Sequence, residues 1–356
     1  MIIRAGTALR HELAGGRQFI SNNSREQKQT RQHLAQQRQE LESRIIGIDQ
    51  VADEVFRALA NRAGFSFIRL GDSELLVMAQ EVIFPIDCDI TEWGPMLTRL
   101  CCDDKVGQGD KTHYQPGINI IRDQQFKVSV RNASGGLTEV KRWRSILRLS
   151  GLDYPDLLAR DYTQQALVTA SIVGVPTSYR PGRSEEHLRL LGAFQTIFLT
   201  ILQKLEITLN DLTLADSAGH HLLHAGGWLR KILLPGQYPG LCTEYGLPAD
   251  FKPRILLIGN LASEFQAFLR REGVRVVGGI YPVEIRNIPE VLERVRGYDF
   301  DLALVSAGTA AKYICTVIHQ EIGKVALDTG QLFNALLNDY QHLDHHSYVV
   351  PYMSLM

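Results

Sequence analysis

Residues 65–74 read Phe-Ser-Phe-Ile-Arg-Leu-Gly-Asp-Ser-Glu, FSFIRLGDSE, and the rest of the chain takes its frame from them. The apolar run Phe65 to Leu70 has strand composition and stops at Gly71. From Asp72, DSELLVMAQ resumes with helical spacing, so a strand, a tight turn and a helix follow in order.

Downstream the same alternation returns from Tyr154 onward. A helix in PDLLARDYTQQALVTA leads to the strand SIVGVP, and a helix starting at Ser184 runs through HLRLLGAFQTIFLTILQKL. A strand near ITLND and a helix HLLHAGGWLRKIL follow. RILLIG, VRVVGGIYP, DLALVSAG and KVALDTG are further strands, separated by the helices SEFQAFLRRE, IPEVLERVRG and TAAKYICTVIHQEI. Strands divided by helices of this length predict an α/β fold, a mostly parallel, Rossmann-like sheet with helices on both faces.

Upstream, Ser24 to about Arg62 is rich in Gln, Arg and Glu and is expected to form one long helix. Leu41, Ile45, Ile48, Ala52, Val55 and Leu59 make a heptad-like seam. The seam fits either a homo-oligomer contact or packing on the chain's own domain. Residues 85–150 break the alternation: FPIDCDITEW, GQGDKTHYQPG and INIIRDQQFKVSV suggest loops around a β-hairpin or small sheet, an insertion. The expected division is an N-terminal tail and long helix over 1–62, an α/β domain over 63–337 and a C-terminal tail over 338–356.

Composition narrows the function classes. The chain has 356 residues, 45% apolar and 22% charged, enough for a sizeable core. Its 38 basic and 39 acidic residues leave a formal charge of -1, so no global field draws it to nucleic acid or anionic lipid. The opening MIIRAGTALRHELAGGRQ has too short an apolar core for a signal peptide, and no apolar run reaches membrane-span length, so a cytoplasmic protein is expected. Five cysteines without CxxC spacing argue against a disulfide framework and a cysteine zinc site. His342, Asp344, His345 and His346 are read as a solvated tail.

In an open parallel sheet, ligands gather at the carboxyl ends of the strands. Five such places carry chemistry. Arg69, Gly71, Asp72 and Glu74 leave the first strand, and two carboxylates one residue apart can reach a hard cation such as Mn²⁺ or Mg²⁺. The same residues also fit a helix start, with Asp72 as cap and Glu74 facing the positive helix end. Ser306, Gly308, Thr309 and Lys312 follow another strand, where free N–H groups and a lysine suit phosphate. Arg180 and Arg183 lie in a Pro/Gly loop and could clamp a diphosphate. Asp216 and His220 stand at a strand end as candidate bases for a hydroxyl; as an alternative, Asp216 simply caps the next helix. Asp328, followed by Gly330, could meet sugar or ribose hydroxyls.

The string FSFIRLGDSE resembles the hallmark of the GT-D-type bacterial glycosyltransferases, whose first strand runs into Arg-x-Gly-Asp-Gly-Glu. The closing DLALVSAGTAAKYICTVIHQEIGKVALDTG is similar to that family's end, a strand, a Gly-centred turn, a helix and a strand finishing Asp-x-Gly. The resemblance covers about 64–82 and 153–337. Ser73 stands where the family commonly has Gly, and Gln331 where His is expected. It implies that Asp72 and Glu74 hold a metal against a nucleotide-sugar donor, a uridine diphosphate sugar above all, for transfer to a glycan, glycoprotein or small-molecule acceptor. A sugar-phosphate binding module without catalysis remains an alternative. An NAD(P)-dependent oxidoreductase would need three glycines where GNLASEF supplies one.

Overall fold

The computed structural model describes residues 24–83, 118–131, 137–149, 152–154, 156–177 and 185–341. The chain divides into two compact units, residues 1–30 with 79–157, and residues 31–78 with 158–356.

In chain order the strands are β1 (Phe65–Arg69), β2 (Ile118–Arg131), β3 (Leu137–Leu149), β4 (Leu152–Tyr154), β5 (Ile172–Val175), β6 (Leu214–Asp216), β7 (Ile255–Gly259), β8 (Val276–Ile280), β9 (Leu302–Ser306) and β10 (Val325–Asp328). The smaller unit carries an antiparallel sheet β2-β3-β4, the small sheet expected of the insertion, although β4 extends it past residue 150. The larger unit carries a seven-stranded sheet in the order β6-β5-β1-β10-β9-β7-β8, every pairing parallel. β1, β5, β7 and β10 are buried along almost their whole length, as strands covered on both faces must be.

Around the sheet run α1 (Ser24–Ser43), α2 (Ile48–Asn61), α3 (Asp72–Ile83), α4 (Leu157–Thr169), α5 (Glu185–Lys204), α6 (Gly219–Ala225), α7 (Trp228–Leu233), α8 (Leu241–Glu244), α9 (Ala262–Arg271), α10 (Ile288–Arg296), α11 (Ala310–Val317) and α12 (Leu332–Gln341). No helix among the described residues is long and apolar enough to cross a membrane.

The expected long helix is two helices. The chain breaks at 44–47, where Ile45 bridges Leu214 and the Ile46 N–H donates to the Leu214 carbonyl, so sheet hydrogen bonds replace helical ones. Gln50 Oε1 then accepts from the Gly47 N–H and starts α2. Leu41, Ala52, Val55 and Leu59 of the seam are buried, with Val51 and Phe56 beside them, so these residues pack on the chain's own domain. Each large side chain among them contributes about 1.5–3 kcal/mol by burial.

Three smaller differences follow, two of them set by local turns that override periodicity. Residues near ITLND form a 3-10 turn, because Asp211 Oδ2 accepts from the Thr208 N–H and hydroxyl, and the strand comes later at Leu214. HLLHAGGWLRKIL divides into α6 and α7 at Gly226 and Gly227. α12, expected as part tail, continues to Gln341 and plants Leu332, Phe333 and Leu336 in the core.

Candidate active site

The parallel register brings the carboxyl ends of the central strands together. Phe67 pairs with Leu327 and Ile172, Asp328 with Val305, and Val175 with Asp216, so Arg69, Asp328, Ser306 and Asp216 share one edge of the sheet.

Gly71 is the N-cap of α3, its carbonyl accepting from the Leu75 N–H at 3.1 Å. Glu74 is the third helical residue and its Oε2 reaches back to accept the Gly71 N–H at 2.9 Å, as in a capping box. Its other oxygen, Oε1, lies 2.8 Å from Lys312 Nζ. Lys312, one turn into α11, is buried at 1% side-chain exposure, and its remaining contacts are Asp328 Oδ2 at 3.1 Å and the Gly308 carbonyl at 3.0 Å. An ammonium has three protons, so this set uses all of them.

Asp328 is wholly buried and equally committed: Oδ2 also accepts the Arg69 N–H at 3.1 Å, and Oδ1 the Gly330 N–H at 3.0 Å. Burial opposes ionisation of Glu74, but the charges of Lys312 and Arg69 and the bonds from Lys312 and Gly71 prevail and hold its carboxyl below the usual range. Burial likewise opposes the Lys312 charge, yet Asp328 and Glu74 raise its pKa above the ordinary lysine value. Glu74 and Lys312 thus hold each other in their charged forms.

The Arg69 side chain lies over Gly330. A Cβ at Gly330, which has φ +49°, would sit 2.4 Å from the guanidinium carbon. Arg69 Nη1 donates to the Ser217 carbonyl at 3.2 Å and stands 3.0 Å from Nδ1 and 3.2 Å from Nε2 of His220. A guanidinium can only donate, so the imidazole accepts and its lone pair is engaged. His220 is buried and lies tilted at 41° against His221, ring centroids 3.8 Å apart. Asp216 is buried as well. Its Oδ1 accepts the Ala218 N–H at 2.6 Å and its Oδ2 the Thr177 hydroxyl, which makes it the organiser of the turn into α6. Thr177 carries no periodic or motif signal, so its part was legible only once β5 and β6 were paired.

On the other side of β10, the Ser306 hydroxyl donates to the Gly330 carbonyl at 2.5 Å. Gly308, at φ +54°, turns the chain in open space, and nothing lies within 4 Å of where a Cβ would be. Thr309 follows as N-cap of α11, buried, its hydroxyl without a hydrogen-bond partner among the described residues. The first N–H groups of a helix have no intrahelical acceptor, so this turn is suited to an anion.

Arg180, Arg183 and the side chain of Asp72 lie outside the described residues. The expected metal pair is therefore tested on Glu74, and Glu74 does not fit it. Both of its oxygens are occupied, and two unit charges about 4 Å apart interact by about 4 kcal/mol at an effective dielectric near 20. A divalent ion on Oε1 would meet roughly twice that repulsion from the Lys312 ammonium. Among the described residues no group of three His, Cys, Asp or Glu is arranged to hold a metal.

The family model of the GT-D fold-like domain matches residues 46–238 and 247–336. No curated protein and no solved structure matches the chain.

Proposed function

The chain belongs to the GT-D-like family, and on that premise we propose that it transfers a sugar from a nucleoside diphosphate sugar, a uridine diphosphate sugar above all, to an acceptor hydroxyl. The observation that carries the reading is the edge itself: Arg69 and the Gly308 turn flank β10 at the carboxyl ends of the sheet.

The difficulty in such a transfer is negative charge growing on the departing diphosphate. Arg69 is held in place by Asp328, the Ser217 carbonyl and His220, and the start of α11 follows the neighbouring strand β9. Fixed donors of this kind stabilise the developing charge more than the ground state. Mn²⁺ or Mg²⁺, expected from the sequence, would supply further charge to the diphosphate, but would find Glu74 already engaged with Lys312.

The test is a thermal-shift screen of nucleoside diphosphate sugars with and without Mn²⁺, followed by chromatography of the released nucleoside diphosphate with candidate acceptors. A uridine diphosphate sugar is expected to stabilise the fold and to turn over. No shift with any nucleotide sugar would overturn the proposal.

One observation favours a second reading, a nucleotide-sugar binding module without catalysis. Asp216 and His220, the candidate bases, are both buried and hydrogen-bonded. Donor stabilisation without turnover, across acceptors and with metal present, would select it.

A further inference from the structure

We infer that Glu74 serves Lys312 and not a metal ion: the glutamate of the Asp-x-Glu motif is a positioning residue that fixes a buried ammonium between the ends of β1, β9 and β10. Each Glu74 oxygen and each Lys312 proton has a partner. Glu74 Oε2 takes the Gly71 N–H and closes the start of α3, while Oε1 takes Lys312. Lys312 then joins three segments, through Glu74 to the turn after β1, through Asp328 to the end of β10, and through the Gly308 carbonyl to the turn after β9.

The placement also explains why the acid and the lysine occur together. A buried carboxylate needs a counter-charge, and a buried ammonium needs acceptors for all three protons. Asp328 and the Gly308 carbonyl would leave Lys312 one acceptor short. Glu74 completes the set, and the oxygen that does so faces an ammonium 2.8 Å away, whose charge opposes a cation there. The Gly308 turn is the piece this arrangement fixes: its carbonyl accepts from both Lys312 Nζ and the Ala311 N–H.

The test uses the full chain and needs no sugar donor, so it stands whether or not transfer is found. Mn²⁺ binding is followed by the loss of its free paramagnetic resonance signal in wild type, Glu74→Gln, Lys312→Met and the double variant, and the four melting temperatures form a double-mutant cycle. Two results are expected together. Mn²⁺ affinity changes by less than about threefold in Glu74→Gln, or wild type binds no Mn²⁺ at all. The two substitutions are also strongly non-additive, the double variant melting at least as high as Lys312→Met alone. If Glu74→Gln does not fold, the double variant, with a neutral Gln and Met in the cage, gives the Mn²⁺ comparison. A loss of affinity of about threefold or more, or melting shifts that simply add, overturns the inference.

Discussion

Replacing Lys312 by methionine keeps the length of the side chain and deletes its charge, so it isolates what the ammonium contributes. Breaking a buried ion pair by removing one partner costs about 3–5 kcal/mol, because the survivor stays buried and uncompensated. Lys312 is only 1% exposed, so water does not screen the loss. Glu74 keeps the Gly71 N–H, and Asp328 keeps two backbone N–H groups with Arg69 Nε at 3.8 Å, which places the cost near the lower end, about 3 kcal/mol. For a unit of this size, each kcal/mol is worth roughly 2–4 °C, so calorimetry at pH 7 should show a fall of about 6–12 °C.

The pH dependence carries the sign. In wild type the folded Glu74 pKa lies below its unfolded value of 4.5, so its contribution is present above pH 4.5 and is lost as pH falls through the folded value. Without Lys312, burial dominates and lifts the Glu74 pKa above 4.5; the penalty is then relieved as pH falls. The gap between variant and wild type should therefore narrow from pH 7 toward pH 4.5. A fall of less than about 2 °C at pH 7, or a gap that widens in acid, would refute the reasoning.

Gly330→Ala should lower stability by about 1–2 kcal/mol through its left-handed φ, and should weaken nucleotide-sugar binding as well because the new Cβ displaces Arg69; calorimetry and donor titration read the two effects. Arg69→Ala removes charge-assisted bonds worth about 1.5–3 kcal/mol, and transfer or donor affinity should fall roughly 10-fold to 100-fold, an effect that an unchanged donor titration would deny. His319 sits against the hydroxyls of Ser66 and Ser171, and burial holds its pKa below 6.5. Its neutral form stabilises the fold above pH 6.5, and that contribution is lost as pH falls through the folded value; His319→Gln should flatten this part of the melting profile.

The βα alternation was legible because each central strand is a compact apolar run and each long helix a periodic one, as in RILLIG with SEFQAFLRRE. Breaks decided by distant partners were not. Nothing local in RIIGI says that Ile46 will bond the Leu214 carbonyl, and the helical spacing across it favours continuity. At the site, the sequence put Arg69 and Asp328 at strand ends and Glu74 and Lys312 at the helix starts that follow strands. Their mutual arrangement was not readable, since the partner that turns Glu74 inward comes from α11, near the other end of the chain. Asp216 likewise looked available because its partner, Thr177, lies just past the end of the neighbouring strand.

The pairing of β1 with β10 joins residue 65 to residue 325, and it lies at the middle of the sheet. Loops of that length close slowly, and long-range parallel pairing delays folding. On a ribosome making about 5–20 residues per second, β1 must wait on the order of tens of seconds for its neighbour to be synthesised. Throughout that interval one edge of an apolar strand is open. The sheet therefore cannot close progressively from its first strand outward, and a chain stopped before residue 325 would lack an interior strand rather than a dispensable edge.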